Sequence, residues 1–387
     1  MTGIGYRMNN TRPRLLIVWH GALFPEYRKP FDLLHRSTCD VTLLVPTHWR
    51  QALPREQAYI PDSNESFRTR VERVRFSNHA VLHHYPDLYR ILHETSPDVL
   101  LAMEEPYSLL TARLLFWCRK HNIPFLFHTY QDIYKHYPPP FGWTQSYVLK
   151  HAHWALVANR TVEQVLRRKG FTRPITLYPY GIDPVQFQPV EKQSSTTIRI
   201  GYVGRFVPEK GIDLLISAFA KLPSSTRLVL VGDGPERGAL VELSNTLRVA
   251  DRIEWIDLVP PSQLPNIYRS MDIFVLPSRT MPNWQEQFGR VLVEAMACGV
   301  PVVGSGCGAI PEVIGDAGLI FPENNGDALV SCLNRLLDSE SLRRQYAVLG
   351  RERVLEFYTH EHCAQVLTEA IKSLPRRSGE VRWGLTK

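Results

Sequence analysis

The feature of this sequence that most restricts its fold is a repeated alternation of short apolar runs with longer stretches of helical periodicity. In the first half, "RPRLLIVWHGALFPEYRKPFDLLHR" opens with an apolar run of strand length, passes a glycine and continues with a helix-like pattern. The run "DVTLLVP" predicts the next strand, and "PDVLLAMEEPYSLLTARLLFWCRKHNIPFLFHTY" repeats the same order. Strands that alternate with crossover helices form parallel sheets, so the first half is predicted to be an α/β domain.

The second half shows the same alternation. Its apolar runs end in Gly, Pro or Asp and are separated by helical stretches such as "GIDLLISAFAKL". These runs are "TIRIGYVGRF", "TRLVLVGDG", "DRIEWIDLV", "DIFVLPS" and "VPVVGSG". The predicted fold class is therefore α/β, with two Rossmann-like, doubly wound domains. Ligands of such sheets bind beyond the carboxyl ends of the strands, so we expect a site in a central cleft that both domains face.

A chain of 387 residues is longer than one hydrophobic core usually serves, which favours two domains. The polar stretch "VEKQSSTT" is the best candidate for a linker because it has no periodicity. The predicted organisation is an N-terminal domain (1–182), a linker (183–197), a C-terminal domain (198–360), a helix that packs back on the N-terminal domain (361–376) and a flexible tail (377–387).

Apolar runs in this sequence stay well short of the roughly 18 residues that a membrane span requires. The opening "MTGIGYRMNNTRPR" also lacks the apolar centre of a signal peptide. We therefore expect a cytoplasmic protein. The 6 cysteines are scattered, without the C-x-x-C pairs of a zinc site or redox dithiol, and are interpreted as reduced thiols.

The formal net charge of +7 favours an anionic partner, which is a phosphorylated ligand, a nucleic acid or the inner, anionic face of the cell membrane. Charge alone does not choose among these. The basic residues are mostly dispersed, and neither a zinc finger nor an RNP-type motif is present, so no nucleic-acid partner is expected.

One candidate site lies in "EQFGRVLVEAMACGVPVV", where Glu286 precedes a predicted helix from about Gly289 to Cys298 and Glu294 lies inside it. The N-terminus of a helix presents free N–H groups and partial positive charge, which suit a phosphate. Glu294 is placed to accept hydrogen bonds from a ribose diol, and Glu286 from hydroxyls on the other side of the phosphate. Glutamates are also common on helix surfaces, so this motif taken alone fits a structural role better than a binding role.

A second candidate site lies in "GYVGRFVPEKGID". Gly201 and Gly204 end a predicted strand, and Arg205 and Lys210 follow in the turn before the next helix. Glycine lets the backbone approach an anion, arginine can bind phosphate oxygens with two hydrogen bonds, and lysine adds a mobile charge. A solvated ion-pairing turn is the alternative interpretation.

The second half of the chain, over roughly residues 198–335, resembles the retaining glycosyltransferases of the GT4 family, the group 1 glycosyltransferases. The family has the GT-B fold. The resemblance depends on five segments that follow one another in the family's order: "GYVGRFVPEKGID", "LVLVGDGPERGAL", "IYRSMDIFVLPS", "EQFGRVLVEAMACGVPVVGSGCGAIPEVI" and "AGLIFPENNGDAL".

The resemblance implies that Arg205 and Lys210 bind the diphosphate of a nucleotide sugar, that Glu294 binds the ribose and that Glu286 binds the transferred sugar. Arg205, Lys210 and Glu286 are therefore the predicted catalytic residues of the second half, and Gly204 is a predicted donor-binding residue.

The resemblance also implies that the backbone N–H groups of Phe288 and Gly289 help to bind the donor. Two residues depart from the family's usual pattern: Gln287 and Ala309 each stand where glycine is frequent, the latter directly after Gly308. Neither change removes a side-chain ligand. Because of these two changes, the resemblance does not identify the donor sugar.

The first half resembles the family less closely. "HGALFPEYRKPFDLL" is similar to the loop that brings a glycine, here Gly21, near the diphosphate, and "FLFHTYQDIY" is similar to the strand that carries a histidine beside the donor sugar. His128 is therefore the candidate catalytic histidine, although a lone histidine after an apolar strand is often structural. Asp132 and Glu105 also follow predicted strands and are weaker candidates.

We expect neither a metal nor a cofactor. The histidines of "NHAVLHHY" lack helical ligand spacing with a carboxylate, and no D-x-D motif follows a strand. The run "YQDIYKHYPPPFGWTQSYVLKHAHW" mixes aromatic and basic residues and fits a sugar acceptor, a membrane interface or a packed loop.

The resemblance implies a metal-independent, retaining hexosyltransferase (EC 2.4) that uses a nucleoside-diphosphate sugar and a glycan or lipid-linked acceptor. The alternatives are another GT-B chemistry such as sugar-nucleotide epimerisation, or a non-catalytic nucleotide-sugar binding protein. An NAD-dependent oxidoreductase is a further alternative, but "GDGPERG" matches the dinucleotide fingerprint only loosely.

Overall fold

The computed structural model describes residues 12–50, 56–191 and 197–375. The chain divides into two compact units. The first comprises Met1–Val157, Glu163–Tyr178 and Cys363–Lys387, and the second comprises Ala158–Val162 and Pro179–His362. Within the predicted linker, residues 192–196 lie outside the described residues, and so do residues 376–387, which include the predicted tail.

The first unit is built on a seven-stranded parallel sheet. It also has a separate antiparallel pair of short strands. Its strands are β1 (Arg14–Val18), β2 (Asp40–Pro46), β3 (His48–Arg50), β4 (Glu56–Ala58), β5 (Arg68–Glu72), β6 (Val99–Ala102), β7 (Phe125–Thr129), β8 (Trp154–Val157) and β9 (Ile175–Leu177). The order in the large sheet is β5-β2-β1-β6-β7-β8-β9, and β3 pairs with β4.

Helices connect these strands as crossovers. They are α1 (Lys29–Ser37), α2 (Leu88–Thr95), α3 (Leu109–Lys120), α4 (Phe141–His151) and α5 (Arg160–Arg168), with a 3-10 turn at Pro25–Tyr27. Strands β6 and β7 are buried along their whole length, which explains why their sequences are apolar rather than alternating.

The second unit is built on a six-stranded parallel sheet. Its strands are β10 (Arg199–Val203), β11 (Arg227–Val231), β12 (Ile253–Ile256), β13 (Ile273–Leu276), β14 (Val302–Ser305) and β15 (Gly318–Phe321), in the order β12-β11-β10-β13-β14-β15. Its helices are α6 (Ile212–Phe219), α7 (Arg237–Thr246), α8 (Leu264–Arg269), α9 (Arg290–Ala297), α10 (Ile310–Ile314), α11 (Gly326–Leu337) and α12 (Glu340–Phe357). The 3-10 turns are Pro208–Lys210, Ala250–Arg252 and Pro261–Gln263.

The last helix, α13 (His360–Lys372), crosses the division between the units. From Cys363 onward its apolar side chains lie in the core of the first unit, together with residues of β1, β2 and α1. These side chains are Cys363, Val366, Leu367, Ala370 and Ile371. The C-terminal segment therefore completes the core of the first unit.

The predicted α/β class with two doubly wound parallel sheets is confirmed. Within the described ranges, no helix combines the length and the apolar character needed to cross a membrane.

The sheet of the second unit determines which loops meet. Strands β10 and β13 are hydrogen-bonded neighbours and run parallel, so their carboxyl ends lie at the same edge. The turn that follows β10 contains Arg205 and Lys210, and the loop that follows β13 contains Glu286. Adjacent parallel strands thus bring two segments that are distant in sequence to one place.

Candidate functional site

Lys210 and Glu286 form the centre of the candidate site in the second unit. The Nζ atom of Lys210 lies 2.5 Å from Oε2 of Glu286, and the two side chains are only 14% and 10% exposed. Ser278, just after β13, donates a hydrogen bond of 2.9 Å to the same Oε2 atom. The ring of Trp284 lies 4.9 Å from Nζ of Lys210, which adds a cation–π contact. A buried cation and a buried acid are therefore held side by side.

Two glycines allow the backbone segments around Lys210 and Glu286 to pack closely. Gly211 follows Lys210 with φ +66°, and a Cβ atom there would lie 2.2 Å from the backbone oxygen of Pro277. Gly308 has φ +54°, and a Cβ atom there would lie 2.2 Å from the backbone oxygen of Glu286. Since real Cβ atoms do not come this close, a side chain at either position would push the backbone of the site apart. Ala309 donates its N–H to the backbone oxygen of Glu286 at 2.8 Å, so this departure from the family pattern does not prevent the close contact.

Arg205 differs from Lys210 in its surroundings. Its side chain is 50% exposed, and its nearest acid is Glu209 at 3.8 Å. Its backbone oxygen accepts a hydrogen bond of 3.0 Å from the hydroxyl group of Tyr202, which holds the turn after Gly204 in place. The guanidinium group therefore lies at the surface of the second unit with only a weak ionic contact, where it can bind an anion from solution.

Glu294 lies inside α9 and is 3% exposed. Its Oε2 atom accepts a hydrogen bond of 2.7 Å from the hydroxyl group of Tyr268, and its Oε1 atom lies 2.8 Å from Nε of Arg290. Burial raises the pKa of Glu294, while Arg290 and the hydrogen bond from Tyr268 act against that rise. Both oxygens thus have partners, and each retains a lone pair for a further hydrogen bond.

Helix α9 begins at Arg290, with Gly289 as its N-terminal cap at φ +78°, as the predicted start near Gly289 requires. Phe288 is 5% exposed and packs against the rings of Tyr180 and Tyr358 at centroid distances of 5.3 and 5.6 Å. The aromatic side chain anchors in the core the loop from which α9 begins.

Gly21 and His128 are predicted site residues of the first unit. Gly21 lies in the loop after β1, and a Cβ atom there would lie 2.7 Å from the indole nitrogen of Trp19. His128, in β7, is 1% exposed and packs against Tyr130 and Tyr178. Burial lowers the pKa of His128 to about 3, so its imidazole is neutral at physiological pH. The roles of both residues stay predictions.

The two weaker candidates of the first unit also have structural contacts. Glu105 accepts hydrogen bonds from the hydroxyl group of Thr129 at 2.5 Å and from the N–H of Tyr130 at 2.9 Å. Burial raises the pKa of Glu105 to about 7. Asp132 is 9% exposed. Glu105 therefore joins the segment after β6 to the segment after β7 within the first unit.

Sequence reasoning did not identify several residues that complete the site of the second unit. Arg290 was detectable, because it stands four residues before Glu294 on one helix. Ser278, Trp284 and Tyr268 had no such signal, since each reaches its partner only through the tertiary fold.

Comparison with known proteins gives the following relatives. The sequence model of the family described as "Glycosyl transferases group 1" matches residues 186–353. A D-inositol 3-phosphate glycosyltransferase of Rhodococcus opacus is 30% identical over 240 residues, which are 56% of this chain and 52% of that protein. An O-antigen chain mannosyltransferase B of Escherichia coli is 35% identical over 178 residues, 45% of each chain. The chain spans about half the length of the curated relatives it matches.

Among solved structures, sucrose-phosphate synthase from Thermosynechococcus elongatus is similar with a TM-score of 0.72 at 20% identity, over 93% of this chain and 98% of that chain. The two doubly wound sheets and this likeness define a protein of the GT-B fold, with an acid and a base paired beside the start of a helix in its second unit. Over residues 186–353, the chain is similar to the group 1 glycosyltransferases.

Proposed function

We propose that the protein is a retaining hexosyltransferase (EC 2.4) that moves a sugar from a nucleoside-diphosphate sugar to a hydroxyl group of a glycan or lipid-linked acceptor. The observation that carries this proposal is the contact of 2.5 Å between Lys210 and Glu286 beside the start of α9. This contact supports the proposal because a cation that can bind a diphosphate stands next to an acid that can accept hydrogen bonds from sugar hydroxyls, and α9 begins at Arg290, shortly after that acid.

The two acids have separate tasks in this proposal. The known contacts of Glu286 are made to Oε2, so its Oε1 atom is the one that a hydroxyl group of the transferred sugar would reach. Glu294 lies about one turn inside α9, where Tyr268 and Arg290 hold its carboxylate in a fixed orientation for the ribose diol. The diphosphate then lies between them, near Lys210 and Arg205.

The chemical step follows from these positions. As the bond between the anomeric carbon and the phosphate oxygen breaks, negative charge develops on the departing diphosphate, and Lys210, Arg205 and the N-terminus of α9 stabilise it. The acceptor hydroxyl attacks the same face of the sugar, and its proton passes to the leaving phosphate oxygen. No enzyme carboxylate has to become a nucleophile, so Glu286 acts by holding and orienting the sugar.

These positive groups also remove the need for a metal ion at the diphosphate, and we propose that donor binding is metal-independent. After treatment with EDTA, added Mg²⁺ or Mn²⁺ should leave the transfer rate unchanged. A strict requirement for either ion would contradict this part of the proposal.

A screen of nucleotide sugars tests the function directly. A donor that binds the folded protein raises its melting temperature with concentration, so thermal shift identifies the nucleotide and the sugar. Transfer is then measured with radiolabelled donor, wild-type protein and the Arg205→Ala and Lys210→Ala variants. We expect the wild-type protein to move the label to an acceptor and both variants to do so much more slowly. A melting temperature that does not depend on the donor, together with absence of transfer, would reject the proposal.

The same assay separates the alternatives. An epimerase would convert the free nucleotide sugar without an acceptor, and a non-catalytic binding protein would show a thermal shift with neither transfer nor slow hydrolysis. The names of the curated relatives favour transfer, because they include a D-inositol 3-phosphate glycosyltransferase and an O-antigen chain mannosyltransferase. Their acceptors differ, so an acceptor panel should contain small polyols as well as glycans.

We also propose a peripheral contact with the anionic inner face of the cell membrane. In the first unit, Trp143 on α4 is 70% exposed, and α4 packs against α3, where Arg119 lies over the ring of Tyr147. An exposed indole beside basic side chains suits an anionic interface. The fraction of protein that co-sediments with phosphatidylglycerol vesicles should fall at high salt and in the Trp143→Ala variant. An unchanged bound fraction in both cases would contradict the proposal.

A further inference from the structure

The first unit contains a cluster of two imidazoles and a carboxylate that the proposed transfer reaction does not use. His20 follows β1, Glu104 follows β6, and β1 and β6 are paired in parallel as far as Val18 and Ala102. His83 comes from the segment before α2. One ligand atom from each of the three residues lies within 4.8 Å of the other two.

Glu104 and His20 are held together by several bonds. Nδ1 of His20 lies 2.7 Å from Oε2 and 2.8 Å from Oε1 of Glu104, and the backbone N–H of His20 donates to Oε1 at 2.8 Å. The Glu104 side chain is 1% exposed. The carboxylate is therefore buried and fixed against the loop that follows β1.

The two ring nitrogens of His83 differ in their hydrogen bonding. Its side chain is fully buried, and its Nδ1 atom lies 3.0 Å from the backbone oxygen of Ala80, which makes Nδ1 the protonated nitrogen. Nε2 then presents a lone pair. The nearest oxygen of Glu104 is 3.6 Å away, too far for a hydrogen bond, and Nε2 has no hydrogen-bond partner among the residues that the structure describes.

Trp49 holds both imidazoles in position. Its ring centroid lies 4.3 Å from that of His20 and 4.9 Å from that of His83, and the residue is 4% exposed. The His20 side chain is 22% exposed, whereas the other two ligands are almost completely buried. Solvent therefore reaches the cluster on the side of His20, whereas His83 and Glu104 lie in the interior.

We propose that His20, His83 and Glu104 bind a divalent transition-metal ion of the zinc class. Two imidazoles and one carboxylate form a ligand set that Zn²⁺ uses, and the bond from His83 to the backbone of Ala80 orients its ring as outer hydrogen bonds do in such sites. The ion displaces the proton between His20 and Glu104, and water fills the open position beside His20. Oxygen-preferring ions such as Mg²⁺ fit this set poorly.

The ion's effect is structural, since it ties three separate segments of the first unit together. Spacing in the sequence does not reveal the site because its ligands come from three different loops. The site also goes beyond the proposed function: Lys210, Arg205 and Glu286 belong to the second unit, and the diphosphate chemistry proposed for them needs no metal.

The test uses the full-length protein, stripped with chelator and then titrated with Zn²⁺ or Co²⁺ alone. We expect one ion per chain to be retained after dialysis, a rise in melting temperature with metal concentration, and visible Co²⁺ absorption with four-coordinate intensity. Mg²⁺ at the same concentration should produce none of these effects.

The variants Glu104→Gln and His83→Phe remove one ligand each; glutamine has nearly the volume of glutamate, and phenylalanine replaces imidazole by a somewhat larger planar ring. Both should lose the metal-dependent rise in melting temperature, with an affinity loss greater than the roughly 10–100-fold that follows loss of an outer hydrogen bond. His79→Gln is the matched control, because His79 lies in the same segment with an exposed side chain and should bind metal like the wild-type protein.

Two results would overturn the proposal: a stripped wild-type protein that takes up no stoichiometric Zn²⁺ or Co²⁺, or uptake that persists unchanged in the folded variants. If Glu104→Gln does not fold, His20→Asn provides the same test at the most exposed ligand. Metal content and Co²⁺ spectra do not depend on transfer activity, so failure here is distinguishable from failure of the proposed function.

Discussion

The Nζ atom of Lys210 and the Oε2 atom of Glu286 lie 2.5 Å apart, although 76 residues separate them in the chain. Because both side chains are mostly buried, each charge is compensated chiefly by the other. In the proposed function, a diphosphate that reaches Lys210 enters a region where Glu286 already stands for the attached sugar. The proposal therefore couples binding of the donor to orientation of the sugar through this pair.

Because the two charges compensate each other, removal of either partner should lower both the transfer rate and the free energy of unfolding. Lys210→Ala should reduce transfer by about 100-fold or more, since it removes a preorganised cation at the developing charge. It should also lower the free energy of unfolding by about 3 kcal/mol, because Glu286 is left buried without its partner. Urea denaturation and initial transfer rates measure the two effects.

A double-mutant cycle with Glu286→Ala and a surface control completes this test. The losses in unfolding free energy of the two single variants should not add, since both break the same contact. Lys221→Ala breaks a similarly short pair of 2.7 Å with Asp327, but those side chains are 57% and 88% exposed. It should change the free energy of unfolding much less than Lys210→Ala does and leave transfer unchanged, because solvent screens an exposed pair. Equal losses at Lys210 and Lys221 would contradict the assignment.

Arg205→Ala should separate function from stability. The side chain is half exposed and its ionic contact with Glu209 is long, so the free energy of unfolding should change by less than about 1 kcal/mol. Donor affinity, measured by calorimetry, should nevertheless fall, and Arg205→Lys should restore only part of it because lysine lacks the two-pronged geometry. Unchanged donor affinity in Arg205→Ala would remove this residue from the site.

Gly308→Ala should disturb the site through the backbone. The new Cβ atom would meet the backbone oxygen of Glu286, and the φ of +54° is unfavourable for alanine, so stability should fall by more than about 1 kcal/mol. Transfer should fall as Glu286 is displaced. The control is Gly238→Ala in α7, where a Cβ atom meets nothing within 4 Å and alanine should stabilise the helix by about 0.5–1 kcal/mol. Similar effects of the two substitutions would show that Gly308 has no special role.

The sequence predicted the elements of the second unit well, because each strand and helix there has a strong local pattern. The start of α9 was expected near Gly289 and is observed at Arg290. The direct contact between Lys210 and Glu286 was not predicted, since it depends on β10 and β13 being neighbours in the sheet. Apolar runs reveal strands but not their order, so contacts between loops of different strands escape sequence reasoning.

The same limit applied to the first unit. Glu104 and His20 are 84 residues apart and meet only because β6 lies beside β1. The neighbouring Glu105 was named as a candidate from its position after a strand, but the sequence could not tell which of the two adjacent acids faces which partner. Neighbouring side chains such as Glu104 and Glu105 point in different directions, and the tertiary fold determines which groups each one contacts.

Tyr268→Phe should destabilise the second unit by about 1–3 kcal/mol, because it leaves Oε2 of the buried Glu294 without its hydrogen bond of 2.7 Å. Urea denaturation measures this change, and Tyr89→Phe is the control, since Tyr89 is 42% exposed. We also expect weaker donor binding in Tyr268→Phe, because the freed carboxylate is no longer fixed for the ribose. Equal stability of both variants would contradict the inferred role of the Tyr268 hydroxyl group.

His128 predicts how stability depends on pH. Burial lowers its pKa to about 3 from an ordinary value of 6.5, so the unfolded chain binds a proton that the folded protein does not bind between these values. Above about pH 6.5 both states are neutral at this residue, and the free energy of unfolding has its full value. It decreases as the pH falls from about 6.5 toward 3, by about 2 kcal/mol at pH 5. His128→Gln removes the titrating group, so its unfolding free energy should fall less steeply between pH 7 and 5 than that of the wild-type protein. The exposed His79→Gln should keep the wild-type slope, and parallel pH profiles for wild type and His128→Gln would show that His128 is not held neutral in the folded state.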